Sequence, residues 1–234
     1  MRDSLRHFVA EFVGTFALVF VGGAAIVSAN ATGMESGLIA VALAHGIILA
    51  VLVSATMRIS GHFNPAVTVG FLAARRIEPV MAGVYIAAQI VAAILAAYAL
   101  KWLLPATLTE ATRLGGQSIA AEITITQAIG LEAIVTFFLV FVIFGTAVDP
   151  KSPRIGGLAI GFTIAAGILA IGPFTGGSFN PARSFGPAVA SGIFEGQAAY
   201  WIGPMVGAVL AALLYDTLFI RREREPVDHG AVRP

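Results

Sequence analysis

One short phrase is written twice in this chain, each time between long apolar runs. Gly61-His62-Phe63-Asn64-Pro65-Ala66-Val67-Thr68 stands in the first half, and Gly177-Ser178-Phe179-Asn180-Pro181-Ala182-Arg183-Ser184 in the second. Asn is among the strongest helix N-caps, and Pro is favoured at the first helical position, where its missing N–H is not needed. Asn64 and Asn180 are therefore each expected to start a helix. The apolar stretch after each is about ten residues, ending near 74 and near 190, which gives a helix of ~15 Å, half the thickness of a bilayer core. Two such starts in matching places of two halves point to one site built from two half-helices.

Composition places that site in a membrane. Hydrophobic residues make up 58% of the chain and charged residues 12%, whereas a soluble domain has about a quarter of its residues charged. Apolar spans run over about 8–29, 37–57, 79–104, 124–148, 155–172 and 197–220. The small residues Ser28-Ala29-Asn30-Ala31 resemble a leader cleavage site. The first span nevertheless is long enough to cross a bilayer and carries Glu11, so it is expected to stay. A polar connector rich in Thr and Gly occupies 105–123, a charged turn with Pro150 and Pro153 occupies 149–154, and a charged, disordered tail is expected over 221–234.

The halves match beyond the phrase. Glu11-Phe12-Val13-Gly14-Thr15-Phe16 is similar to Glu132-Ala133-Ile134-Val135-Thr136-Phe137, and Tyr85 answers Tyr200. Each half holds three spans and a half-span. An odd number of crossings makes the second copy enter from the opposite face, an inverted repeat. The expected fold is an all-α membrane protein with six transmembrane helices and two re-entrant half-helices in a 3+3 inverted repeat. It reads as one channel domain over 1–234: repeat 1 about 8–104, connector 105–123, repeat 2 about 124–220, then the tail.

Of the 14 Lys and Arg residues, Arg2, Arg6, Arg58, Arg75, Arg76, Lys151, Arg154, Arg221, Arg222, Arg224 and Arg233 fall on one side of such a topology. Lys101 and Arg113 fall on the other, and Arg183 lies within the second half-helix. The positive-inside rule makes both termini and the 149–154 turn cytoplasmic. The tail arginines Arg221, Arg222 and Arg224 would face anionic lipid. A net charge of +1 suggests no nucleic-acid partner. The chain has no Cys, which excludes disulfides and thiolate chemistry. No catalytic residue, metal or cofactor is expected.

Irregular backbone at membrane depth is tolerated where it packs in protein or lines a wet cavity. The Gly-rich segments 60–63 and 176–179 are expected to run extended, with carbonyls laddered along a pore and the Asn64 and Asn180 amides as donors at its centre. Each half-helix aims about half a positive charge at that point, which opposes cations and protons. The expected object is a narrow pore for uncharged solutes. Glu11 and Glu132 admit two readings, a proton relay or acceptors for the half-helix loops; the repeat favours the second. An Arg inside the membrane, as Arg183, is functional by default. His45 reads as a core residue or a pore residue. His62, two before Asn64, is expected near the cytoplasmic vestibule. Ser178 with either His lacks a nucleophile elbow and an orienting acid, so no hydrolase is expected. Gly156-Gly157 reads as a helix-packing surface.

The doubled Asn-Pro-Ala, with Arg183-Ser184-Phe185-Gly186-Pro187-Ala188 after the second copy, resembles the aquaporin (major intrinsic protein) family over about 8–220. The resemblance implies a homotetramer with one pore per subunit. It also implies an aromatic/arginine filter made here by His45, Ile168, Gly177 and Arg183. The strict water-channel pattern has Phe in the second helix and His in the fifth. His45 with Ile168 and Gly177 is instead similar to some plant tonoplast channels, as are Gly172-Pro173-Phe174 and Tyr200-Trp201. Glycerol facilitators carry Asp after the motif Arg and a basic residue four further on, where this chain has Ser184 and Ala188; they carry Pro and an aliphatic residue where it has Tyr200-Trp201. The resemblance implies a passive channel for water, with ammonia or another small neutral solute as a further permeant, in the cell membrane. A glycerol or small-polyol facilitator is the next reading, and a proton-coupled transporter the rival from another class.

Overall fold

The structure, a computed structural model, describes residues 2–35, 37–153 and 155–221. Arg154 and the tail 222–234, with Arg222, Arg224 and Arg233, lie outside the described residues, so the charge count and the lipid-facing reading there are not addressed by it. In chain order the helices are α1 (Arg2–Thr32), α2 (Gly37–Thr56), α3 (Pro65–Ala73), α4 (Pro79–Leu103), α5 (Ala106–Ala111), α6 (Ile125–Ile143), α7 (Gly156–Thr175), α8 (Pro181–Ser191) and α9 (Gln197–Tyr215). Six of them, α1, α2, α4, α6, α7 and α9, are long and apolar enough to cross a bilayer. The outer surface fits that solvent: Val80 is 79% exposed and Trp102 91%, with Ile47, Phe162 and Leu210 also outward.

Both Asn-Pro junctions start helices, for the reason the sequence gives. Asn64 and Asn180 hold extended backbone, with φ of −158° and −149°. Asn64 Oδ1 accepts from Ala66 N at 2.8 Å, and Asn180 Oδ1 accepts from Ala182 N at 3.0 Å and Arg183 N at 3.3 Å. Pro65 and Pro181 then open α3 and α8. Past the other end of α3, which stops at Ala73, Arg75 turns left-handed (φ 57°).

The connector holds short elements of its own, and the fifth span ends later than expected. The connector 105–123 is not structureless: it holds α5 and a tight turn over Arg113–Gly115. Six residues are too few to nucleate a helix alone, so the pattern was invisible without its packing. The fifth span continues past 172, because Pro173 lies in the last turn of α7, where its missing N–H removes a single bond, and the helix ends at Thr175 on the left-handed Gly176 (φ 78°). The fourth and sixth spans reach the ends expected of them, α6 and α9 passing into wider π turns over Phe144–Val148 and Asp216–Arg221.

The half-helices are held crosswise: α3 packs on α9 and α8 on α4, each against a long helix of the other repeat. Their directions follow from two contacts. Past the end of α3, Arg76 Nε donates to Asp216 Oδ1 beyond α9 at 2.8 Å. At the far end of the 25-residue α4, Lys101 Nζ donates to Ala190 O near the end of α8 at 2.9 Å. So α3 and α8 run from the middle of the bundle toward opposite ends.

Small residues let the long helices approach backbone to backbone. Gly46 of α2 lies against the Gly161 carbonyl of α7, and Gly207 of α9 lies against the Ala133 carbonyl of α6. A Cβ on Gly207 would overlap that carbonyl, which cannot rotate away. Gly207→Leu is therefore expected to cost about 3 kcal/mol, the upper end of the overpacking range, read as a lowered melting temperature in detergent; melting at the wild-type temperature would contradict this packing.

Candidate pore and selectivity filter

The site begins with two carboxylates that do not touch the pore. Glu11 of α1 and Glu132 of α6 are each 0% exposed. Glu11 accepts from the backbone N–H groups of His62 (2.8 Å) and Phe63 (2.7 Å), from Gln89 Nε2 (2.7 Å) and from the Ser60 hydroxyl. Glu132 accepts from the backbone N–H groups of Ser178 (2.9 Å) and Phe179 (2.8 Å) and from Thr175 Oγ1 (2.7 Å). Each carboxylate thus ties down the two amides that precede an Asn. Buried N–H groups need such partners, and charge-assisted bonds are the strong kind.

The tied loops do not run extended to the Asn, as the sequence led us to expect. Phe63 (φ 49°) and Phe179 (φ 59°) are left-handed, as are Gly176 and Gly177. For a non-glycine residue this costs roughly 1–2 kcal/mol. Burial holds it in place: both rings are 0% exposed and lie where a Cβ on Gly14 or Gly167 would stand. The reversal turns each Phe carbonyl toward the other repeat. Asn64 Nδ2 donates to Phe179 O at 2.8 Å, and Asn180 Nδ2 donates to Phe63 O at 2.8 Å. The last rung of each carbonyl ladder is therefore occupied. An Asn amide has two N–H donors, so each Asn keeps one for the lumen rather than two.

Both Asn residues line a central cavity. The half-helix loops supply one wall, with Gly61, His62, Gly177 and Ser178. Leu18, Leu49, Val53, Leu139, Ile160 and Ile164 supply an apolar wall opposite, which gives a passing solute few hydrogen-bond alternatives. A vestibule at one end, termed outer, shares Ile168 and Arg183 with this cavity, and one at the other end, termed inner, shares Val53, His62 and Ile143. The three follow one another along a single path.

His45, Ile168, Gly177 and Arg183 come together where the outer vestibule meets the cavity. His45 Nδ1 lies 2.8 Å from Val41 O, which only accepts, so Nδ1 carries the hydrogen. The lone pair of Nε2 then accepts from Arg183 Nη2 at 3.0 Å. Arg183 is 4% exposed, and its Nε and Nη1 meet no acceptor among the described residues. Gly177 is left-handed (φ 60°), and a Cβ there would press on Ile168. At the matching place in repeat 1 stands Val67, 1% exposed on the same cavity. The path is polar at the Arg183 level and apolar at the Val67 level.

The structure adds Gln89, which the sequence did not single out, and gives Tyr200 a place. Gln89 of α4 joins Glu11 to Thr68 Oγ1 (3.0 Å), and Tyr200 OH donates to Thr175 O at 2.9 Å, behind Glu132. A lone Gln within an apolar span was the available signal, since intramembrane polar residues mark structure or function. His62 lies between the cavity and the inner vestibule, hydrogen-bonded to Thr68 Oγ1 at 3.1 Å and packed on Phe71 and Tyr85.

Known proteins are similar to this chain in sequence and in fold. The Major intrinsic protein family profile matches residues 1–215. "Aquaporin TIP2-1" of Arabidopsis thaliana is 42% identical over 226 residues, covering 93% of this chain and 88% of that protein. "Aquaporin TIP2-3" of Zea mays is 43% identical over 226 residues, covering 93% and 89%. The X-ray structure of the aquaglyceroporin from Plasmodium falciparum superposes with a TM-score of 0.79 at 26% identity, over 94% of this chain and 98% of that one. With six crossings, two crossed half-helices and a match over nearly its whole length, this chain belongs to the major intrinsic protein family.

Proposed function

We propose that the protein is a passive water channel that excludes protons and ions, with ammonia as a second permeant. As a member of its family it is a multi-pass membrane channel and not an enzyme. The observation that carries the reading is the meeting of Asn64 and Asn180 in one cavity, each held by the other repeat's Phe carbonyl. One amide N–H from each side, and the positive ends of α3 and α8, orient a water oxygen toward the pair. A water held by its oxygen to two donors cannot pass a proton along the file, and the two half-helix ends oppose a cation. In this reading Asn64-Pro65-Ala66 and Asn180-Pro181-Ala182 form the central site. His45, Ile168, Gly177 and Arg183 form the selectivity filter, and Glu11 and Glu132 support the half-helix loops.

Neither carboxylate lines the cavity, and both are engaged by loop donors, which leaves a proton relay without a path. The glycerol reading is weaker: Ser184 and Ala188 are the water-channel residues, and Tyr200 is fixed to the loop at Thr175. Gly177 contributes no side chain to the constriction, which supports passage of ammonia beside water.

The positive residues Arg6, Arg58, Arg75, Arg76 and Lys151 support cytoplasmic termini. The family resemblance supports a homotetramer with one pore per subunit, the apolar outer faces support a place in a membrane, read here as the cell membrane, and the whole chain forms one channel domain of two repeats. Water, ammonia and glycerol permeabilities measured in parallel on proteoliposomes test the substrate. Water and ammonia should move several times faster than in empty vesicles, and glycerol should not. Glycerol flux keeping pace with water, or flux that requires a pH gradient, would contradict the reading.

A further inference from the structure

We propose that Gly22 on α1 is a positioning residue for the filter, setting where the His45 ring stands. The proposal rests on the filter reading above. Gly22 is buried and lies outside the cavity, directly behind His45. A Cβ on Gly22 would overlap the imidazole at Nε2 and would approach Cδ2 to 2.5 Å and Cε1 to 2.7 Å. Nε2 is the atom that faces Arg183, and Nδ1, which faces Val41, is not among the three nearest. The ring therefore occupies the space that a side chain on α1 would fill. Only with that space empty does His45 lie back against α1 while Nδ1 bonds Val41 O (2.8 Å) and Nε2 accepts from Arg183 (3.0 Å).

The ring is 2% exposed and has little freedom. Its Nδ1 bond ties it to its own helix, so a methyl group at residue 22 can displace it only by swinging the Nε2 edge off α1 and into the lumen. Two things follow. The constriction narrows by the width of that movement, and Arg183 loses its acceptor, so the guanidinium is no longer held to one wall. The neighbouring Gly23 lies against the turn at Leu114 and Gly115 on another side of α1. The Gly22-Gly23 pair thus lets α1 approach the filter and the vestibule loop together.

The test is a double-mutant cycle on the full-length channel in proteoliposomes, with Gly22→Ala, His45→Ala and both. Water permeability per folded channel and exclusion of glycerol and urea are read for each. Gly22→Ala alone is expected to lower water permeability about tenfold, a change of ~1.4 kcal/mol in the barrier. In the His45→Ala background the same substitution is expected to change permeability less than twofold, because the ring it displaces is gone. A Gly22→Ala chain that folds only together with His45→Ala would support the same contact. Equal losses in both backgrounds would overturn the positioning role, and so would wild-type permeability in Gly22→Ala alone. Unchanged exclusion of glycerol and urea in His45→Ala would instead overturn the filter reading itself.

Discussion

Glu132→Ala is expected to yield little or no folded channel. The substitution takes the Glu132 acceptor from the backbone N–H groups of Ser178 and Phe179 and from the Thr175 hydroxyl, all at 3% exposure or less and at membrane depth. Each orphaned buried donor costs about 1–3 kcal/mol, so the total is on the order of 5 kcal/mol, comparable to the whole stability of many domains. The loss falls on the one loop that must hold Phe179 left-handed and present its carbonyl to Asn64. Glu132→Gln keeps one acceptor oxygen and turns an amide N–H toward a donor, so it should fall between wild type and Ala. Folded yield and melting temperature in detergent are the measurements. A Glu132→Ala channel melting within a few degrees of wild type would remove this carboxylate from the account.

Arg183→Val is expected to leave the channel folded but poorly selective. Val is what repeat 1 carries at the matching place, Val67, so the backbone there accepts it. The substitution removes both the bulk that narrows the path beside Ile168 and the charge that faces an entering cation. A unit charge at ~4 Å with an effective dielectric near 20 opposes a cation by about 4 kcal/mol, roughly a thousandfold in rate. Glycerol and urea fluxes should therefore rise, and a measurable ammonium leak should appear, with water flux maintained. Selectivity identical to wild type would show that Arg183 is not part of the filter.

The long-range plan was legible from residues alone because it depends on signals that survive without packing. Two Asn-Pro caps, six apolar spans and an odd number of crossings per half were enough to derive two half-helices entering from opposite ends. The structure sets them that way, through Arg76 with Asp216 and Lys101 with Ala190. What stayed hidden depends on tertiary contact. The left-handed turns at Phe63 and Phe179 run against local preference and are held by burial beneath Gly14 and Gly167. The crossed bonds from each Asn to the other repeat's Phe carbonyl follow from those turns, and no spacing in the sequence encodes them. For the same reason α5 reads as polar connector until its surroundings are present. His45 is intermediate: a lone His in an apolar helix has two meanings, and its contact with Arg183 at 3.0 Å brings the two residues to one level of the path.

The central claim is that two Asn-capped half-helices make one pore that conducts water and stops protons. Its most direct test records both fluxes on the same proteoliposomes, with osmotic shrinkage for water and an entrapped pH dye for protons under an imposed pH difference. Water efflux several times that of empty vesicles, with a low activation energy, is expected beside proton flux equal to that of empty vesicles. Proton flux that rises in step with the amount of channel would contradict it.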